Sequence, residues 1–143
     1  MQTELANDPE VDLVVCSVRV DKHFLTVKPS IIAGKAIFVE WPLDRSLSVA
    51  REMAALAAKH HAKTIVGIQG SFSPIIRKIK EIVEKGDDEG GIGKVLSSTI
   101  VASVGNGDVW ERKNVRYFLD REVGGNIISI HLGHSFEFIA SGK

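Results

Sequence analysis

Residues 35–43, KAIFVEWPL, predict a short buried strand that leads directly into a loop. Four of the five residues in AIFVE are apolar, which is typical of a parallel strand that is covered on both faces. WPLDRS at 41–46 follows this strand as a loop. Two similar apolar runs, VDLVVCSV at 11–18 and KTIVGI at 63–68, predict two further strands.

Three helices are predicted to follow these strands, over residues 21–35, 47–62 and 74–84. Gly34 suits the left-handed position that ends the first helix, and Pro29 should kink or divide it. Ser46 is placed to cap the second helix, which is rich in alanine. Ser73 and Pro74 form an N-cap and a first-turn proline for the third helix, which has a stripe of isoleucines.

The alternation of strands and helices predicts an α/β fold with a parallel sheet, equivalent to half of a doubly wound domain. This part covers residues 1–86. Beyond it, KVLSSTIVASVG at 94–105 alternates in polarity and predicts a longer strand in a second sheet, and NIISIHLGHSFEFIA at 126–140 predicts a helix. The length of 143 residues favours a single domain.

Composition excludes several classes of function. The 18 basic and 18 acidic residues balance, so no net charge attracts nucleic acid or an anionic membrane. No apolar run approaches the length of a membrane span, and the first ten residues lack the features of a signal peptide. Cys16 lies in an apolar run and is expected to be a buried thiol. We therefore expect a cytoplasmic protein whose partner is a small molecule or another protein.

Three segments together resemble the Gfo/Idh/MocA family of nicotinamide-dependent sugar and inositol dehydrogenases. They are DPEVDLVVCSVRVDKHF at 8–24, AGKAIFVEWPL at 33–43 and GGNIISIHLGHSFEF at 124–138. Within the family, the chain looks most similar to the branch that contains a galactose-pathway repressor, because Glu-Trp replaces Glu-Lys and QGSFSP at 69–74 has a counterpart. The resemblance implies a partial Rossmann-like sheet of three strands with helices. A strand and a helix from the family's C-terminal α+β domain should follow, as a remnant over residues 94–143.

The sequence departs from the family pattern at two positions that matter for chemistry. No Gly-x-Gly-x-x-Gly turn is present, and the glycines of EGGIG at 89–93 follow a helix rather than a strand. Trp41 stands where the resemblance places the family's lysine, and an indole offers one N–H donor and a stacking face. We therefore expect neither NAD(P) binding nor any other cofactor, and no redox chemistry of the family's kind.

The resemblance and the strand ends together select candidate site residues. The predicted catalytic donors are His134, His131 and Arg112, of which His134 matches the family's active-site histidine. The predicted substrate-binding residues are Glu40, Trp41, Gln69, Trp110 and Tyr117. His131, His134 and Glu137 share one helical face, but no further ligand has recognisable spacing, so no metal is predicted. His23 is a weaker pocket candidate, since it follows the first strand.

Three functions remain open from the sequence. The first is a cofactor-independent isomerase or cyclase that holds a small apolar molecule in a shaped pocket and polarises its carbonyl. The second is a metabolite-sensing or regulatory binding protein, and the third is an inactive fragment. We also expect a homodimer, formed through an exposed strand edge or through the strand at 94–105.

Overall fold

The computed structural model describes residues 2–86, 89–101 and 113–140. Its sheet has three parallel strands in the order β1-β2-β3, namely β1 (Leu13–Cys16), β2 (Ala36–Glu40) and β3 (Thr64–Gly67). The described residues form five α-helices, namely α1 (Gln2–Asn7), α2 (His23–Ile32), α3 (Leu47–Lys59), α4 (Pro74–Glu84) and α5 (Gly133–Ala140). The α/β fold with a three-stranded parallel sheet is therefore confirmed.

One face of the sheet packs against helices α2 and α3 and forms the core. The register pairs Val14 with Ile37 and Cys16 with Val39, so these four side chains lie on the same face. The helices add four buried residues to this cluster, namely Val27, Ile31, Met53 and Ala57. Burial raises the pKa of the Cys16 thiol, which agrees with its predicted role as a buried apolar residue.

The opposite face of the sheet is uncovered in the described part of the chain. Leu13, Val15 and Ile65 point to this face and are 49%, 60% and 56% exposed. The expectation that the strands are covered on both faces is therefore wrong for these residues. The reason is that α2 and α3, which follow β1 and β2, both contribute their buried residues to the same side.

Helix α2 ends as its glycine predicts. Gly34 has φ +72°, and the N–H groups of Gly34 and Lys35 donate to the carbonyls of Ile31 and Ser30, each over 3.0 Å. Pro29 does not divide the helix, which is continuous from His23 to Ile32. Pro29 has no N–H to donate to the carbonyl of Leu25, and Leu25 is 70% exposed.

The starts of α3 and α4 also match the sequence. The Ser46 hydroxyl accepts a hydrogen bond from the Val49 N–H over 3.4 Å, and α4 begins at Pro74 after Ser73. The isoleucine stripe of α4 is less buried than predicted, because Ile76 is buried but Ile75 is 71% exposed. None of the helices in the described part of the chain reaches the length and hydrophobicity that a bilayer span requires.

The strand expected at 94–105 is not formed in its described part. Residues 94–101 have no strand partner, and Leu96 and Val101 are 87% and 92% exposed; residues 102–105 lie outside the described residues. Alternating polarity alone does not make a strand when no neighbouring strand accepts its hydrogen bonds. The helix predicted at 126–140 is present as a π-helical turn, Ile128–Leu132, followed by α5.

Candidate functional site

The candidate site lies at the carboxyl ends of β2 and β3, where open α/β sheets place their ligands. Glu40 is the last residue of β2 and Trp41 follows it; both are half-buried. Gln69 follows β3 and is exposed. A Cβ on Gly67 would lie 2.8 Å from Phe38 Cζ and 3.2 Å from the Glu40 carboxylate, so the small residue at the end of β3 leaves room for both side chains.

Helix α5 packs against the turn that follows β3. A Cβ on Gly70 would lie 3.2 Å from Glu137 Cγ and 3.6 Å from the carbonyl oxygen of His134. The glycine therefore permits a close approach of the helix to the strand ends. This contact brings the segment around His134, which the sequence selects as a donor, to the same end of the sheet as Glu40.

Trp41 joins the end of β2 to the C-terminal helical segment. Its indole N–H donates to the carbonyl oxygen of Ser129 over 2.7 Å, across 88 residues of chain. The ring lies against Gly133, where an added Cβ would come within 2.6 Å of the indole Cε2. The indole therefore occupies space that only a glycine at 133 leaves open.

The local geometry around Ser129 explains why its carbonyl can accept this bond. Asn126 and Ser129 cap the helical segment reciprocally, each side chain accepting the other residue's N–H over 2.9 Å. The turn that follows is π-helical, and the Gly133 N–H donates to the Ile130 carbonyl rather than to that of Ser129. The widened turn gives the indole access to the Ser129 carbonyl.

The two C-terminal histidines lie on this segment beside the strand ends. His131 belongs to the π-helical turn and His134 to α5, and both are half-buried. The Ser135 hydroxyl donates to the His131 carbonyl over 2.8 Å. No group of three or more metal-binding side chains occurs among the described residues.

His23 does not line the cleft. Its side chain is 1% exposed, with Nε2 2.8 Å from the Val18 carbonyl oxygen and Nδ1 3.2 Å from that of Leu43. The imidazole thus joins the loop after β1 to the loop after β2. The buried Asp44 supports the same junction, because its carboxylate accepts the N–H groups of Phe24 and Arg45. His23 is therefore a structural residue, contrary to its selection as a weaker pocket candidate.

Tyr117 lies in a different place, beside the loop that follows β1. Its ring packs edge-on against Phe118, with centroids 4.7 Å apart, and Arg19 Cζ lies 5.9 Å from its centroid. Arg19 also pairs with Asp21 through two hydrogen bonds of 2.6 and 2.7 Å, which lowers the pKa of the Asp21 carboxyl. These contacts place Tyr117 beside Arg19 and Phe118, and its role in substrate binding stays a prediction.

Two predicted site residues are not described by the structure, and two residues that contact Trp41 were not predicted. Trp110 and Arg112 lie outside the described residues. The sequence reasoning missed Ser129 and Gly133, although GG-N-x-x-S at 124–129 is a helix-start pattern that could have marked the first of them. Nothing in the local sequence indicates that Gly133 packs against the Trp41 indole, since the contact joins distant parts of the chain.

The fold and the position of the site identify a Rossmann-type α/β protein. Three parallel strands in the order β1-β2-β3, joined by helices α2 and α3, are the arrangement of one βαβαβ half of a Rossmann-type α/β protein. Residues 2–68 match the oxidoreductase family with an NAD-binding Rossmann fold, GFO_IDH_MocA, and residues 74–141 match the C-terminal domain of Gal80p. The chain belongs to the Gfo/Idh/MocA family, as its motifs suggest.

Individual relatives match nearly the whole chain. The dehydrogenase aclE of Aspergillus oryzae is 33% identical over 95% of this chain. The galactose/lactose metabolism regulatory protein GAL80 of Saccharomyces cerevisiae is 28% identical over 94%. The crystal structure of the transcriptional regulator Gal80p from Kluyveromyces lactis superimposes with a TM-score of 0.83 at 27% identity and covers 97% of this chain. The chain covers 36%, 32% and 35% of these three proteins, about a third of their length.

Proposed function

We propose that the chain is a non-redox binding module of the Gal80-like branch, which holds a small metabolite at the strand ends and presents the bound state to a protein partner. The observation that carries this proposal is the Trp41 hydrogen bond to Ser129. Trp41 belongs to the segment that matches the Rossmann family, and Ser129 to the segment that matches the Gal80p C-terminal domain. A ligand that displaces the indole would therefore alter both segments together.

The chemistry of Trp41 supports a function without hydride transfer. The resemblance places Trp41 at the family's lysine, which assists proton transfer there. An indole N–H is a donor that does not ionise in the physiological range, and this one already donates to a carbonyl over 2.7 Å. No acid or base is thus available at this position, whereas binding and positioning remain possible.

The polar groups around the indole suit a hydroxylated ligand. Glu40 is a half-buried carboxylate acceptor, Gln69 is an exposed amide, and His134 lies on the covering helix. Acceptors and donors at one strand end can hydrogen-bond the hydroxyl groups of a sugar or polyol. The names of two relatives, a D-xylose dehydrogenase and an inositol 2-dehydrogenase, each 30% identical over 65% of this chain, agree with this ligand class.

Intrinsic fluorescence gives a direct test. The chain has two tryptophans, so Trp110→Phe leaves Trp41 as the sole tryptophan, which can be excited at wavelengths that tyrosine does not absorb. We expect galactose, xylose or myo-inositol to change its emission saturably, and no reduced nicotinamide to form when NAD or NADP is added with the ligand. The matched variant, Trp110→Phe with Glu40→Gln, should bind these ligands more weakly than Trp110→Phe alone. Turnover of nicotinamide would contradict the proposal, and so would the absence of saturable binding of any of the three ligands.

A second candidate is the cofactor-independent isomerase or cyclase acting on a small apolar molecule. The observation in its favour is the pair of half-buried imidazoles, His131 and His134, on the segment that covers the strand ends. Imidazole is the side chain best suited to move a proton near neutral pH. In this case Trp41 would supply an apolar wall of the pocket rather than a link to a partner.

Isotope uptake separates the two candidates. An enzyme that isomerises a ketone by proton abstraction would incorporate deuterium from heavy water into the substrate, which mass spectrometry detects. His134→Gln should abolish this uptake, and His60→Gln, at the end of α3 and far along the chain from the site, is the matched control. Uptake that depends on His134 would favour the enzyme. Its absence for a panel of apolar ketones, with saturable sugar binding, would favour the binding module.

A further inference from the structure

Trp41 lies in a loop, residues 41–46, that is held in place by Asp44. Asp44 is 9% exposed, and its carboxylate accepts the Phe24 N–H over 3.2 Å and the Arg45 N–H over 2.7 Å. A buried carboxylate needs such donors, because burying it without a partner is strongly unfavourable. The two bonds therefore fix the middle of the loop.

The bond from Phe24 anchors the loop to the core. Phe24 lies in the first turn of α2, where the backbone N–H groups have no carbonyl of their own helix to bond. The N-cap residue, Lys22, has a side chain that donates but cannot accept. The Asp44 carboxylate therefore caps this helix from 20 positions further along the chain. Since α2 contributes the fully buried Val27 and Ile31 to the core, the loop is held against a well-packed element.

The bond from Arg45 extends this control to the acceptor of the indole. The Arg45 backbone lies against Gly124, where an added Cβ would come within 2.9 Å of the Arg45 carbonyl oxygen. The Gly124 carbonyl accepts the Ser129 hydroxyl over 2.7 Å, and the Ser129 carbonyl accepts the indole N–H of Trp41. A continuous series of contacts thus joins Asp44 to both the donor and the acceptor of the indole bond.

We propose that Asp44 is a positioning residue that keeps the indole of Trp41 bound to Ser129 and thereby keeps the ligand site closed. The inference rests on the proposed function, in which a ligand displaces the indole. A ligand that binds only the open state has its apparent affinity reduced by the fraction of chains that are open. Loss of the Asp44 carboxylate should therefore tighten ligand binding, even though it weakens the fold.

Hydrogen exchange of the Trp41 indole N–H tests the closed state without any ligand. In a Trp110→Phe background, one indole signal remains in a proton–nitrogen correlation spectrum. Asp44→Ala should accelerate its exchange roughly tenfold, which is the equilibrium change expected from the loss of one helix cap. Arg45→Ala is the matched control, because it keeps the N–H and the Cβ of residue 45, and it should exchange as slowly as the parent. Asp44→Asn keeps an acceptor oxygen and should exchange at an intermediate rate.

A second control separates positioning from a general loss of stability. Gly34 ends α2 at the opposite end from Phe24 and has φ +72°, so Gly34→Ala destabilises the same helix far from the loop. Urea unfolding measures its destabilisation beside that of Asp44→Ala, and its indole exchange should stay at the parental rate. The proposal is overturned if Gly34→Ala accelerates exchange as much as Asp44→Ala does, or if Asp44→Ala leaves exchange unchanged.

Ligand titration tests the consequence for binding. The apparent Kd of galactose, xylose or myo-inositol, measured from Trp41 emission in the same background, should fall in Asp44→Ala by the factor that its exchange rises, about tenfold. Unchanged or weaker binding would overturn the proposal, because that result is expected of a merely structural residue. If the parent binds none of the three ligands, the proposed function fails, whereas the exchange rates still decide whether Asp44 positions the indole.

Discussion

Replacing Gly133 by alanine tests whether the indole of Trp41 is seated as the structure shows. Gly133 has helical backbone angles, φ −59° and ψ −47°, so alanine fits the backbone without strain. Its Cβ would nevertheless lie 2.6 Å from the indole Cε2 and 2.9 Å from Cζ2. Since real Cβ atoms do not approach other atoms this closely, the ring must move away.

The expected change in the free energy of unfolding combines three effects. Loss of the 2.7 Å bond to Ser129 costs about 1 kcal/mol. Forcing a methyl group into a filled site costs about 1–3 kcal/mol, and alanine in a helical position returns up to about 1 kcal/mol relative to glycine. Gly133→Ala should therefore destabilise the protein by about 1–3 kcal/mol.

A double-mutant cycle makes the prediction decisive. In a Trp41→Ala background the space beside residue 133 is empty, so the clash disappears and only the helical preference of alanine remains. Gly133→Ala should then become stabilising, by up to about 1 kcal/mol. Urea unfolding followed by circular dichroism measures all four variants. If Gly133→Ala stabilises the protein with Trp41 present, the indole is not seated against this residue.

Three other substitutions test the structure around the sheet. His23→Ala should lower the free energy of unfolding by about 2–4 kcal/mol in urea unfolding, because it empties a buried site and removes the imidazole N–H that a neighbouring carbonyl oxygen accepts. A loss below about 1 kcal/mol would refute its structural role. Gly34→Ala should cost about 1 kcal/mol in the same assay, because residue 34 has φ +72°; an unchanged unfolding midpoint would contradict the left-handed helix end. Glu81 has its pKa lowered from 4.5 to about 2 by its bonds to Lys85 and Lys78. The stability that these bonds contribute is present above pH 4.5 and is lost as the pH falls towards 2. Glu81→Gln should therefore reduce the dependence of the free energy of unfolding on pH in this range. The reduction should be larger at low salt than at high salt.

Local patterns predicted the elements that depend on local chemistry. Gly34, Ser46 and Pro74 each marked a helix end correctly, because caps and turns are determined by residues within one turn of the chain. The strand at 94–105 failed in its described part for the opposite reason. A strand needs a partner, and alternation within a segment carries no information about whether a partner is present.

The candidate site was predictable only in part, since its geometry depends on contacts between distant segments. The resemblance selected Glu40, Trp41 and His134, and the structure places all three at one end of the sheet or on the segment that covers it. It could not select Ser129 or Gly133, because a hydrogen bond between residues 88 positions apart leaves no local sequence pattern. The histidine at position 23 was misassigned because its place after a strand resembles that of a pocket residue, whereas its burial is decided by the neighbouring loop.

Trp41 and Gly133 are best understood as one feature of this chain. A lysine after Glu40 would need solvent or an anion for its ammonium group, and it would not require an empty position opposite. An indole of this size fits only because residue 133 has no Cβ, and its N–H is satisfied only because the π-helical turn presents the Ser129 carbonyl. Its effect is to tie the sheet segment to the C-terminal helix through a group that cannot transfer a proton. The proposed binding module depends on this link, and the sign of the Gly133→Ala effect with and without Trp41 tests whether the link exists.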